Sequence, residues 1–226
     1  MPAPMSGISV CVFDAYGTLF DLKAVVETGR RVLGDRADEL SGLWRRKQLE
    51  YSWLRSLMGR HSDFWHVTGE SLDYALKAMS IDDPSLRSRL MEAYLSPATY
   101  PEVKATIEKL KTTGHRLAIL SNGSPTMLTS ATKAAGLAEH FDAVLSVETV
   151  GIYKPHPTVY RLVTDHFDCQ AANVAFLSSN GWDAAGASAF GFQVVWVNRD
   201  GLPRDILPAV PHAEVTSLAS LPDLLS

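Results

Sequence analysis

The hydrophobic pattern changes its period twice along the chain. Ile8–Phe13 is a short apolar run rich in β-branched residues, as in a strand buried on both faces of a parallel sheet. From Asp21 to about Leu95 the apolar positions recur at helical spacing. Four segments can be drawn, near Asp21–Leu33, Asp38–Met58, Asp63–Met79 and Pro84–Tyr94, with no strand candidate among them. Alternation resumes at Tyr100: a helix near Glu102–Thr113, strand Arg116–Leu120, helix Pro125–Ala135, strand Ala143–Ser146 and helix Pro157–Phe167. Strand Val174–Leu177, helix Ala184–Phe190 and strand Gln193–Val197 follow. From about Gly201 prolines interrupt the pattern, and a last helix is expected over Ser217–Leu225.

This alternation predicts an α/β fold, a doubly wound, Rossmann-like parallel sheet with helices on both faces. The helical block then reads as a cap inserted after the first strand, with 1–20 and 96–226 forming the α/β core and 21–95 the cap. A length of 226 residues is enough for a core carrying such an insert. Composition adds exclusions: a net charge of −4 gives no basic surplus for nucleic acid and no attraction to an anionic membrane. MPAPMSG carries no cationic start and the apolar run after it is too short for a signal or a span, so a cytoplasmic protein is expected. Cys11 and Cys169 form no metal or redox spacing and read as reduced, inert thiols.

The chemistry concentrates where strands end, which is where a parallel sheet presents its ligands. Asp14 stops the first strand, and Gly17 and Thr18 supply a turn and a hydroxyl beside it. Ser121–Pro125 offers a hydroxyl, the Asn122 amide and the free N–H groups of a helix N-terminus, suited to an anion. Lys154 lies in a loop stiffened by two prolines, placed to balance Asp14. Tyr160 reads equally as a phenol reaching the same place and as a buried aromatic. Ser178–Asp183 packs two hydroxyls, the Asn180 amide and the Asp183 carboxylate into six residues, more than the capping of one helix requires.

Asp14 with Thr18, Ser121 in its Ser-Asn loop, Lys154 before a proline and the Asp183 loop resemble the four motifs of the haloacid dehalogenase superfamily. Most of its members are magnesium-dependent phosphotransferases with a second aspartate two positions after the nucleophile; here that position is Tyr16. Leu43–Arg60, Asp63–Trp65, FDAYGTLFD and SSNGWD are similar to the (S)-2-haloacid dehalogenases in particular. Two departures stand out: Arg46, where a glutamine is expected, and Gly181. Helical spacing puts Arg45, Leu49 and Trp53 on one face.

That resemblance implies a metal-free, two-step hydrolysis of a small 2-haloalkanoate with no cofactor. Asp14 is the nucleophile, and Thr18, Lys154 and Tyr160 position it and balance its charge. Arg45 and Asn122 take the halide. Ser121 with the N–H groups of Ala15 and Tyr16 holds the substrate carboxylate. Tyr16, Leu49, Phe64 and Trp182 wall an apolar pocket, and Asp183 with Asn180 and Ser178 orients the water. A homodimer is also implied. Two other readings stand beside it, a metal-dependent phosphatase on the same fold and a non-catalytic binding scaffold.

Overall fold

The computed structural model describes residues 5–225. Residues 1–4 and Ser226, which the expected core boundaries and the N-terminal reading include, lie outside the described residues. In chain order the elements are β1 (Val10–Phe13), β2 (Phe20–Asp21), α1 (Lys23–Leu33), α2 (Arg36–Met58), α3 (Phe64–Ala78), α4 (Pro84–Leu95), β3 (Ala98–Thr99) and α5 (Val103–Thr112). Then come β4 (Arg116–Ser121), α6 (Pro125–Ala134), β5 (Ala143–Ser146), α7 (Pro157–Phe167), β6 (Val174–Ser178), α8 (Gly181–Phe190), β7 (Gln193–Val197), β8 (Ala213–Val215) and α9 (Leu221–Leu224).

Every side chain of β1 is fully buried, so both faces of the strand are covered. Six strands form one sheet in the order β5-β4-β1-β6-β7-β8, all parallel. The order reverses at β1, with β4 and β5 on one side and β6, β7 and β8 on the other. Such a switch point leaves a crevice at the carboxyl ends of the strands. The register places them level, since Phe13 pairs with Ile119 of β4 and with Leu177 of β6. Asp14 and Ser178 therefore emerge side by side, with Ser121 one position further along β4.

The four helices between β2 and β3 pack on each other, α2 against α3 and α1 against both α2 and α4. Local chemistry sets their ends. Asp63 caps α3 by accepting from His66 N at 3.0 Å, and Asp83 caps α4 by accepting from Leu86 N at 2.8 Å. Three expectations are corrected. β2 and β3 pair antiparallel at the two ends of the helical segment, Phe20 with Thr99 and Asp21 with Ala98, too short a pairing to show a period of two. The tail holds a sixth sheet strand, β8. The expected last helix is a 3₁₀ turn at Leu218–Ser220 followed by α9.

Candidate active site

Asp14 leaves β1 with its N–H still donating to Leu177 O of β6 at 2.8 Å, so its backbone is fixed by the sheet. The turn that follows needs Gly17: its φ is +87°, and a Cβ there would lie 2.9 Å from Ser179 Oγ. Oδ1 of Asp14 accepts from Lys154 Nζ at 3.1 Å. Oδ2 accepts from Asn180 Nδ2 at 2.9 Å, with longer bonds from Thr18 Oγ1 at 3.4 Å and Ser178 Oγ at 3.5 Å. Both oxygens of the carboxylate are thus held by donors from three separate loops.

Lys154 is 1% exposed and is shared, its Nζ also meeting Asp183 Oδ2 at 2.9 Å. Burial opposes the ammonium charge, but Asp14 and Asp183 outweigh it and push its pKa up. Asp183 is fully buried, and burial with the neighbouring Asp14 charge raises its carboxyl above the usual range against the pull of Lys154. Tyr160 donates to Asp183 Oδ1 at 2.7 Å, so the phenol reaches the cluster through Asp183 and not through Asp14 itself. α8 begins at Gly181, three residues earlier than expected, which puts Asp183 inside its first turn and excludes a capping role. Gly181 packs under Asp205, whose Oδ2 a Cβ would approach to 2.6 Å.

On the facing side, Arg45 reaches over from α2, with Nη2 3.1 Å from Asn180 Oδ1. Trp53, two turns further along α2, donates to Lys154 O at 3.2 Å and stands edge-on to Trp182 with ring centroids 5.4 Å apart. The expected shared face of α2 is therefore the one over the loops. Leu49 lies between them, half-buried. Arg46 is exposed, its guanidinium beside Gly42, where a Cβ would lie 3.5 Å from Nη1. Phe64 is buried against Tyr153 beside the Lys154 loop.

Ser121 Oγ accepts from Gly123 N at 3.0 Å, which leaves its O–H to donate, while Ser124 caps α6. Asn122 Oδ1 accepts from Lys154 N at 3.1 Å, so its Nδ2 is the end left for another acceptor. Ala15 O closes the turn by accepting from Thr18, Leu19 and Phe20 N–H. Tyr16 is buried between Phe20 and Tyr94, and its hydroxyl has no hydrogen-bond partner among the described residues. Burial and the nearby Tyr94 and Asp14 push that phenol's pKa far up.

A family model for haloacid dehalogenase-like hydrolases matches residues 8–191. (S)-2-haloacid dehalogenase 1 of Pseudomonas sp. (strain CBS-3) is 45% identical over 98% of this chain and 98% of its own length. The chain belongs to the haloacid dehalogenase-like hydrolases, in the (S)-2-haloacid dehalogenase group. A crystal structure of a dehalogenase superposes with a TM-score of 0.95 at 43% identity, covering 97% of this chain and 98% of the other. The L-2-haloacid dehalogenase of Xanthobacter autotrophicus with chloropropionic acid covalently bound superposes with a TM-score of 0.88 at 38% identity, covering 96% and 98%. The carboxylate cluster of this family member sits at the sheet's switch point.

Two contributors went unread in the sequence. Gln48, fully buried in α2, accepts from Arg45 Nη1 at 2.7 Å; its spacing of three from Arg45 was the available signal. Arg199, just after β7, donates to Thr18 O at 2.9 Å and to Glu102 at 2.7 Å and stacks 3.6 Å over Tyr100. No local pattern marks it, because its three partners lie on segments distant in the sequence.

Proposed function

We propose that this chain hydrolyses (S)-2-haloalkanoic acids to (R)-2-hydroxyalkanoic acids through an ester on Asp14. The observation that carries the reading is the setting of Asp14: a carboxylate gripped by Lys154 and Asn180, with Tyr16 two positions on, where a second carboxylate would serve a metal. An oxygen of Asp14 bonds to C2 from the side opposite the halogen. The carbon–halogen bond breaks, its electron pair leaves with the halide, and the carbon inverts. Water then adds to the Asp14 carbonyl carbon, releasing the hydroxy acid and restoring the carboxylate.

Arg45 and the outward Nδ2 of Asn122 are donors for the departing halide, in a site where N–H donors and a cation act through little solvent. The Ser121 hydroxyl and the Ala15 and Tyr16 N–H groups take the substrate carboxylate. Tyr16, Leu49, Phe64 and Trp182 supply the apolar wall. Asp183 has one lone-pair site left on each oxygen after Lys154 and Tyr160. It orients an enclosed water, with Ser178 and Asn180 beside it.

The donor set does not fit magnesium, which wants hard oxygens, usually one or two carboxylates plus waters or phosphate. Asp14 has an ammonium at Oδ1 and Asn180 and Ser178 at Oδ2, and the second carboxylate, Asp183, is taken up by Lys154 and Tyr160. The phosphatase reading has no observation in its favour. The helices of residues 21–95 act as a cap over a core of 1–20 and 96–226, in a cytoplasmic homodimer; Leu54, Leu57 and Met58, exposed at the end of α2, support an apolar contact between copies. Among the described residues no helix is long and apolar enough to cross a membrane.

Chloride release from (S)-2-chloropropionate tests the reading. Release is expected with and without EDTA and is lost in Asp14→Asn; no chloride from the native protein overturns it.

A further inference from the structure

Gln48 is a wholly enclosed amide in the middle of α2, a costly group to bury unless each end is matched. Its neighbours decide which end faces where. Thr68 Oγ1 donates its single proton to Phe64 O at 2.6 Å, so toward Gln48 it acts as acceptor, and Gln48 Nε2 meets it at 2.8 Å. Oε1 must then point the other way, where it accepts from Arg45 Nη1 at 2.7 Å. A flipped amide would set two donors against each other at Arg45. Trp44 Nε1 and Ser71 Oγ both donate to Thr68 O at 2.9 Å, anchoring the residue that fixes the amide.

Beyond Arg45 the same direction continues. Nη2 of Arg45 donates to Asn180 Oδ1 at 3.1 Å, and Asn180 Nδ2 donates to Asp14 Oδ2 at 2.9 Å. Gln48 and Asn180 hold the guanidinium by opposite ends, fixing its plane. Nε–H and one N–H on each Nη keep no hydrogen-bond partner among the described residues, and these are the donors left for an anion.

We infer that Gln48 is a positioning residue for the step that breaks the carbon–halogen bond, acting through Arg45. The inference rests on the dehalogenase reading given above. As the Asp14 oxygen bonds to C2 and the halide departs with the bonding pair, negative charge grows where Arg45 points. A guanidinium free to tilt stabilises that charge less. The later attack of water on the Asp14 ester develops charge elsewhere and does not need Arg45 fixed in plane.

Single turnovers with enzyme in excess, on (S)-2-chloropropionate and (S)-2-bromopropionate, test this in Gln48→Met and Thr68→Val. In Gln48→Met, chloride release is expected to slow by roughly 10- to 100-fold, the scale of a small misplacement of a catalytic group. Bromide, the better leaving group, slows less, so the bromide-to-chloride rate ratio rises, and hydroxy acid appears without lag behind the halide. Thr68→Val, which removes the Nε2 acceptor together with the bond to Phe64 O and leaves Gln48 its contact with Tyr94, shows the same signature more weakly. Native chloride-release rates in either folded variant overturn the role of Gln48, as does equal slowing for both halides. Should Gln48→Met fail to fold, Thr68→Val decides alone. No halide from the native protein overturns the dehalogenase reading itself; turnover by the native protein beside unaffected variants overturns only the assignment to Gln48.

Discussion

Lys154 lies 2.9 Å from Asp183 with both side chains closed to solvent, and this contact is shorter than its 3.1 Å contact with Asp14. One ammonium therefore serves two carboxylates, and the buried cluster carries a net negative charge when all three are ionised. The two partners differ in what their loss does. Lys154→Met strands two buried carboxylates and is expected to cost about 3–5 kcal/mol of stability, with turnover abolished. Asp183→Asn leaves a neutral pair, so melting is expected to change by no more than a few degrees while kcat falls at least about 10-fold. Calorimetry with initial rates on both variants checks the contrast.

The pH profile carries the signs of these shifts. The folded pKa of Lys154 is raised, so its contribution to stability is whole below the ordinary lysine value of about 10.4 and is lost as pH rises through the higher folded one. No alkaline fall in kcat assignable to Lys154 is expected below pH ~10. Asp183 is raised as well, so the folded chain takes up its proton above the ordinary aspartate value of about 3.9. The acid limb of kcat is expected above that value and belongs to the coupled cluster as a whole. Initial rates from pH 3.5 to 10.5 in buffers of constant ionic strength read both limbs.

Oxygen bookkeeping separates attack by Asp14 from direct attack by water. In a single turnover in ¹⁸O-water with enzyme in excess, the label is expected in the Asp14 carboxylate, and peptide mass spectrometry locates it. Label confined to the product would mean that water attacks C2.

Gly186 tests the packing behind the cluster. A Cβ there would lie 2.5 Å from Pro155 Cβ and 2.6 Å from the Tyr160 hydroxyl. Alanine gains up to about 1 kcal/mol of helix propensity in α8, yet the clash is expected to win at about 1–3 kcal/mol. Gly186→Ala is therefore expected to melt lower and, by displacing the phenol from Asp183, to lose turnover; thermal melts and initial rates read both.

The strands and helices that carry motifs were legible because their periods are clean and their ends are marked by Asp63, Pro84, Pro125 and Pro157. Asp14, Lys154 and Asp183 were legible for a related reason: Asp14 and Asp183 follow the buried strands β1 and β6, Lys154 follows the edge strand β5, and parallel strands deliver their ends to one place. β2, β3 and β8 were not, being two or three residues long and made by partners far along the chain. Gln48 looked like one more polar residue on a helix until burial identified it, and burial is not written locally. Tyr160 was open between two readings, and the fold makes both true at once: its ring is buried and its hydroxyl ends on Asp183.

The pairing of β2 with β3 has a consequence for how such chains diversify. Asp21 and Ala98 sit opposite each other across two antiparallel strands, so their Cα atoms are about 4.5–5.5 Å apart. Everything from 22 to 97 leaves and re-enters at practically one point, a gap that a tight hairpin turn spans. The residues that set the register of β1 with β4 and β6 all lie outside that segment. A lineage can lengthen, shorten or exchange that segment, and with it the shape of molecule admitted, while Asp14 stays where β1 and β6 put it.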